Sequence, residues 1–195
     1  MTAVMAPVVA MMAPVVAMAV MEGGVAVMEG GGEGGCLWTS IPKQLTGSEI
    51  AIPAASFPEV RRRFPGYVFD AVGSGRIWEG APAEALAAVH QTWLRDPATG
   101  NYLLDVFREP HDGDTWICRR DERIRFPYSE IIHRTRDGIP YLAPELVLLF
   151  KAKHARRKDQ ADFEATVPHM TAAQRETLTE LLTRVHPGHP WASAA

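Results

Sequence analysis

Basic residues are nearly absent from the first third of the chain. All but one of the 20 Lys and Arg side chains lie beyond residue 60, the exception being Lys43, whereas five acids (Glu22, Glu29, Glu33, Glu49, Glu59) fall within that stretch. With no Lys or Arg ahead of Lys43, the sequence offers neither the charged leader of a signal peptide nor a positive-inside flank for a membrane helix. Thr2 to Met21 carries no charge and is long enough in principle to cross a bilayer, but Pro7 and Pro14 interrupt its helical period. Cysteine is equally scarce. Cys36 and Cys118 are far apart in sequence and form neither a metal-ligand spacing nor a disulfide framework, which points to a reducing, cytoplasmic setting. The net charge of −3 and pI near 6.2 leave no whole-chain basic footprint. That excludes a protein whose main work is coating nucleic acid, and it assigns any electropositive chemistry to the C-terminal two thirds.

The 195 residues suffice for an α/β unit with a helical appendage and a real core. Residues 1–37 are a separate material, rich in Met, Ala, Val and Gly. MAPVVAM occurs in tandem at Met5 to Met11 and Met12 to Met18, VMEGG recurs at Val20 and Val27, and seven of the eight methionines lie here. The leading expectation is a low-complexity tail, with an irregular first core helix and a membrane or targeting segment as alternatives. The glycines from Gly30 to Gly35 are either flexible or a wrap for a phosphate.

Globular character begins near Trp38. Residues 38–142 read as a domain of mixed strands and helices, and residues 143–195 as a helical domain. EIAIPA, from Glu49 to Ala54, alternates with period two, placing Glu49 and Ala51 on one face and Ile50 and Ile52 on the other. Ser56 is placed to cap a helix through Phe64, with Arg61, Arg62 and Arg63 toward solvent. YVFDAV and Arg76 to Trp78 flank the turn GSG as a hairpin. The Ala and Leu spacing from Pro82 to Leu94 predicts one helix. Asn101 to Arg120 reads as strand, turn and strand around the Asp-Gly of HDGD. Within it Asp105 stands among Leu103, Leu104, Val106 and Phe107, where a lone carboxylate needs a cation or donors. A further strand, Glu130 to Arg134, precedes a second turn, Arg136 to Ile139. Pro144 opens a helix that ends on Lys151, Lys153, His154 and Arg156 to Lys158. A second helix is expected over Asp159 to Val167, and a third to Val185 behind the capping box of Thr171 and Gln174.

Three separated segments then carry a resemblance. DGIPYLAPELVLLFKAKHARRKDQADF at Asp137 to Phe163, LLDVFREPHDGDTWICRRD at Leu103 to Asp121 and PGHPW at Pro187 to Trp191 resemble the small bacterial nucleotidyltransferases related to aminoglycoside 2''-adenylyltransferase, in the polymerase-β-like superfamily. The resemblance covers residues 49 to 191. It implies an α/β (α+β) nucleotidyltransferase fold, in which a mixed sheet is followed by a small helical domain and nucleotide lies between them. It also implies ATP as substrate, Mg2+ as cofactor, transfer of AMP to a small-molecule hydroxyl (an aminoglycoside-like acceptor among the candidates), and no nucleic-acid partner. Carboxylates in such a site hold magnesium, which bridges the triphosphate and neutralises developing charge.

Carried over residue by residue, Glu49 matches the second acid of a spaced pair and Asp105 the third acid, both metal-binding and catalytic positions. Gly30 and Gly31 stand where the Gly-Gly turn of the nucleotide site falls, Lys43 is the remaining basic match, and Lys158 points back at the phosphates. Gly47 occupies the position of the first acid, and Leu45 that of a histidine. Losing one metal carboxylate is expected to cost on the order of 100-fold or more in rate. Three readings follow: a degenerate homologue, recruitment of another acid such as Asp70 or Glu33, or a first 48 residues that do not belong with the rest. Asp112 and Asp114 read as turn residues, Arg156 and Arg157 as solvent or substrate-rim residues, and His186 and His189 as packing or tail residues.

Overall fold

The computed structural model describes residues 15–21, 24–30, 48–134, 136 and 140–195. In chain order the α/β part comprises β1 (Val15–Met21), β2 (Gly24–Gly30), β3 (Ser48–Pro53), α1 (Phe57–Arg63), β4 (Val68–Gly73), β5 (Arg76–Trp78), α2 (Ala83–Ala88), β6 (Gln91–Arg95) and β7 (Tyr102–Glu109). There follow β8 (His111–Asp112), β9 (Thr115–Ile117), β10 (Arg125–Pro127), α3 (Tyr128–Ile131), β11 (Ile132–Arg134), β12 (Pro140–Leu142) and the helices α4 (Pro144–Lys151), α5 (Arg157–Thr166) and α6 (Ala172–Val185). The fold is therefore mixed α+β, with a mixed sheet first and helices last. Among the described residues no helix is long and apolar enough to cross a membrane.

Seven strands form the main sheet in the order β2-β1-β3-β7-β6-β4-β5. β3 and β7 run parallel in its middle, and the other pairings are antiparallel. Alternation along the strands sends Ile50, Ile52, Leu104, Val106, Leu94, Phe69 and Ala71 to one face, where Phe57 and Val60 of α1 and Leu86 of α2 close a core. Ala51 and Phe107 point the other way and pack against the core of the helical part, which includes Trp116, Leu146, Leu149, Phe163, Leu178, Leu182 and Trp191. The helical part thus covers the C-terminal ends of β3 and β7 on the face opposite α1 and α2.

Several expectations are corrected by this geometry. Val15–Met21 and Gly24–Gly30 are paired strands rather than a tail or a helix. Both segments are rich in valine, a residue favoured in strands, and Met18 to Val20 pair with Ala51 to Glu49 of β3. The helix expected over Pro82 to Leu94 stops at Ala88. Val89 turns extended, and Gln91–Arg95 alternates in burial as a strand held between β4 and β7, so two ladders override the Ala and Leu spacing. HDGD makes the turn of a hairpin as expected, with Asp112 opposite Thr115, but the hairpin joins the short strands β8 and β9, which lie with β10 in a separate three-stranded sheet and not on β7. Residues 128–131 are one helical turn, so the strand there is only Ile132–Arg134. Ser56 makes no cap, because a 3-10 turn at Ala54–Ser56 already puts it in the helical region, φ −82°, ψ −10°. The hairpin of β4 and β5 and the helix behind Thr171 and Gln174, with both bonds of the capping box, are as the sequence predicts.

One buried pair ties the far side of the sheet together. Asp70 on β4 is fully buried and accepts from Arg95 Nε at 2.6 Å, from Arg95 Nη2 at 3.2 Å and from Gly80 N–H at 2.7 Å. Burial pushes the carboxyl upward, but these donors and the Arg95 charge outweigh it and hold the group below its usual range. Stability from this carboxylate is present above its unfolded pKa and lost as pH falls through the lower folded one. Asp70→Asn, which keeps the shape and removes the charge, is expected to cost about 2 kcal/mol at pH 7, read by urea denaturation, with the difference shrinking toward pH 3.

Candidate functional site

One row crosses the face of the sheet opposite α1 and α2. Asp70 on β4 lies opposite Trp93 on β6, Trp93 opposite Asp105 on β7, and Asp105 opposite Glu49 on β3. The four therefore project on the same side of the sheet. Glu49 and Asp105 are direct neighbours on parallel strands, with backbones about 4.8 Å apart. Two acids so placed share one electrostatic environment, and Glu49 raises the pKa of Asp105.

Asp105 is half-buried. Gln91 Nε2 donates to its Oδ2 at 2.6 Å, while Oδ1 is buried without a hydrogen-bond partner. Burial pushes the carboxyl up to about 7; the side chains of Gln91 and Trp93 and the charge of Arg119 pull down, and Glu49 pushes up further. A carboxylate with one oxygen satisfied and one open is chemically ready for a proton or a cation. Glu49 is exposed. The cation whose charge reaches it is Arg156, immediately ahead of α5.

Arg156 is fixed by Asp159, a buried acid in the first turn of α5 that accepts from the Arg156 backbone N–H at 3.0 Å, from Nε at 2.7 Å and from Nη2 at 3.1 Å. Asp159 closes the capping box at the start of α5 and is buried in doing so, with the Arg156 guanidinium filling its remaining bonds. Lys158 is exposed on the same turn and has no salt-bridge partner among the described residues. Lys151 pairs with Asp162 at 2.5 Å. The hairpin loop contributes Arg119, whose Nη1 meets His90 Nε2 at 2.8 Å and whose Nε lies 3.4 Å from Glu109 Oε1.

The structure brings Glu49 and Asp105 together but does not bring Gly30 to them. Gly30 pairs with Val15 two strands from β3, near the opposite end of the sheet, roughly 20 Å from Glu49 at ordinary strand spacings. Gly31, Lys43, Leu45, Gly47 and Glu33 lie outside the described residues. Asp70 sits in the acid row, but both of its oxygens are committed to Arg95 and Gly80, so it is not free to replace the missing acid. Asp114 is a turn residue, as expected, whereas Asp112 ends the short strand β8 instead of lying in the turn. His186 packs as predicted, meeting Arg120 Nη1 at 2.9 Å while Arg120 donates to the Leu149 and Phe150 carbonyls at the end of α4. Cys118 is a buried free thiol.

Sequence reasoning missed Gln91, Trp93 and His90 because a helix was expected there; the alternating Gln91, Trp93, Arg95 pattern was the available signal. It missed Arg119 and Glu109 because their pairing spans two sheets.

Two carboxylates plus open positions fit a single hydrated magnesium, which takes one or two protein carboxylates and fills its remaining sites with water and phosphate. The unpartnered Oδ1 of Asp105 is the atom that fits such an ion. Among the described residues no group of three His, Cys, Asp or Glu side chains is disposed to hold a metal. A groove of about 570 Å3 opens on the other face, lined by residues including Pro58, Arg61, Tyr67, Phe69 and Leu86, and none of the acid row borders it except through strands. No family model, no curated protein and no solved structure matches the chain.

Proposed function

We propose that the chain is a cytoplasmic nucleotidyltransferase-like protein that holds a magnesium nucleotide over Glu49 and Asp105 and transfers AMP from ATP to a hydroxyl of a small molecule. The supporting observation is the direct pairing of these two acids on adjacent parallel strands, with the charge of Arg119 reaching Asp105 and that of Arg156 reaching Glu49. Carboxylates with cations nearby are what a metal-bound triphosphate requires.

Glu49 and Asp105 Oδ1 would hold the ion, which neutralises charge on the triphosphate when bound. Gln91 orients Asp105 through Oδ2 and leaves Oδ1 free. With the ion bound, Asp105 would be a carboxylate able to take the acceptor hydroxyl proton. The hydroxyl oxygen then bonds to the α-phosphorus, the bond to pyrophosphate breaks, and the proton resides on the Asp105 carboxyl. Arg156, held by Asp159, and Lys158 on the same turn supply positive charge to the phosphates.

Gly47, standing where the resemblance places the first acid, favours one second reading, a homologue that binds nucleotide without turnover. A magnesium-dependent adenylylation assay over a panel of hydroxylated acceptors separates the two. Pyrophosphate release that requires both acceptor and Asp105 supports the enzyme. Nucleotide binding with no release above background supports the binding protein, and absence of both removes both readings.

A further inference from the structure

Arg119 is held from four sides before any ligand arrives. Its guanidinium lies 4.9 Å from the Phe150 ring centroid and 5.6 Å from that of Phe107. Nη1 is paired with His90 and Nε with Glu109. His90 is itself stacked on Phe107, with ring centroids 6.0 Å apart. Burial, followed by the charges of Arg119, Arg108 and Lys153, holds the imidazole below its usual pKa, so near neutral pH its Nε2 accepts from Arg119. The backbone at this corner is equally fixed, with Cys118 buried and its N–H bonded to Ile124 O at 2.9 Å.

What remains free is directional. Nη2 has no hydrogen bond among the described residues, whereas Nη1 and Nε are committed. Phe107, under the guanidinium, is two residues from Asp105 on the same face of β7, a separation of roughly 7 Å along the strand. Gln91, which bonds Asp105, directly follows His90. Arg119 is thus a pre-set guanidinium whose charge reaches Asp105, with one donor edge unpaired among the described residues, and Phe150 of α4 makes its position depend on the seating of the helical part.

We propose that Arg119 binds the β- and γ-phosphates of the nucleotide through its open Nη2 edge, with His90 and Glu109 as positioning residues that aim it. The assignment rests on the nucleotide reading of the Glu49 and Asp105 site and names the group that discriminates a triphosphate from a monophosphate there. A planar fork already ordered by aromatic and hydrogen-bonding contacts loses little entropy on meeting phosphate, which a flexible surface lysine would.

The test is calorimetric titration of the full chain, in magnesium buffer, with ATP, AMP and inorganic tripolyphosphate, for wild type, Arg119→Ala, Arg119→Lys and the exposed control Arg125→Ala. Arg119→Ala is expected to weaken ATP and tripolyphosphate by about 10-fold to 100-fold and to leave AMP within about 3-fold. Arg119→Lys should fall between, and Arg125→Ala should match wild type. Melting curves accompany each variant. Equal losses for AMP and ATP, or tripolyphosphate affinity unchanged in Arg119→Ala, overturn the assignment while leaving the nucleotide site standing. A wild type that binds neither ATP nor tripolyphosphate overturns the site and the assignment together.

Discussion

Asp105→Asn is expected to stabilise the chain at pH 8 and to abolish nucleotidyl transfer in the same protein. The folded carboxyl titrates at about 7 against an ordinary 3.8, with burial as the main cause. Between those values the native state holds a proton that the unfolded chain has released, so stability falls as pH rises through that window. The gap corresponds to on the order of 4 kcal/mol at about 1.4 kcal/mol per pH unit, reduced to roughly 2 to 3 kcal/mol by solvent at the partly exposed group. Asparagine is neutral throughout and removes that slope, while Gln91 keeps a carbonyl oxygen to donate to. Urea denaturation at pH 5 and pH 8 reads the effect: wild type loses stability between the two and the variant does not. Parallel profiles would mean that Asp105 is ionised well below 7. On the proposed function, transfer should fall by about 100-fold or more, because the substitution would remove both a metal ligand and the proton acceptor. A residue that costs stability where it stands and is needed for chemistry is the usual signature of a functional site.

Trp191→Ala is expected to cost about 3 to 5 kcal/mol, although the residue lies near the end of the chain. The indole is 2% exposed, stacks on Phe163 of α5 with centroids 4.5 Å apart and planes 13° apart, and donates through Nε1 to Gln160 Oε1 at 2.6 Å. His189 closes its edge at 5.0 Å. Removing the ring opens a cavity beneath α5 and leaves Gln160 short of a partner. A fall in Tm of about 10 °C or more is expected, and Trp191→Phe, which keeps the stack and loses the donor, should recover most of it. Because α5 also carries Asp159, which fixes Arg156, the variant should on the proposed function weaken nucleotide binding as well.

The alternation in EIAIPA is enough to put Glu49 on the face opposite Ile50 and Ile52, and the apolar flanks of Asp105 announce a carboxylate in a costly place. Both survive in the structure because period two along a half-buried strand is set by local geometry. Their pairing was not legible, since register between strands 56 residues apart depends on which neighbours fill the sheet. QTWLR was misread for a related reason. Its local Ala-Leu lead-in favours helix, but a central place between two partners gives every backbone group of a strand a hydrogen bond, and that ladder wins. The Val-rich repeats were read as tail because their composition is simple, yet composition does not forbid a strand when an open edge of β3 is available to pair with. Asp159 shows the opposite error. A charged residue in KDQADF reads as solvent-facing until the guanidinium of Arg156 is found to fill its bonds.

The account centres on a magnesium nucleotide held by Glu49 and Asp105, and calorimetric titration of MgATP at pH 7 in two buffers of different ionisation enthalpy tests it most directly. With Asp105 near half-protonated at that pH, binding a cation at Oδ1 must expel the proton. The account predicts binding by wild type with release of roughly half a proton per site, lost together with affinity in Asp105→Asn and weakened in Glu49→Gln. MgATP binding by Asp105→Asn with undiminished affinity and the same proton release, or no binding by wild type, would contradict it.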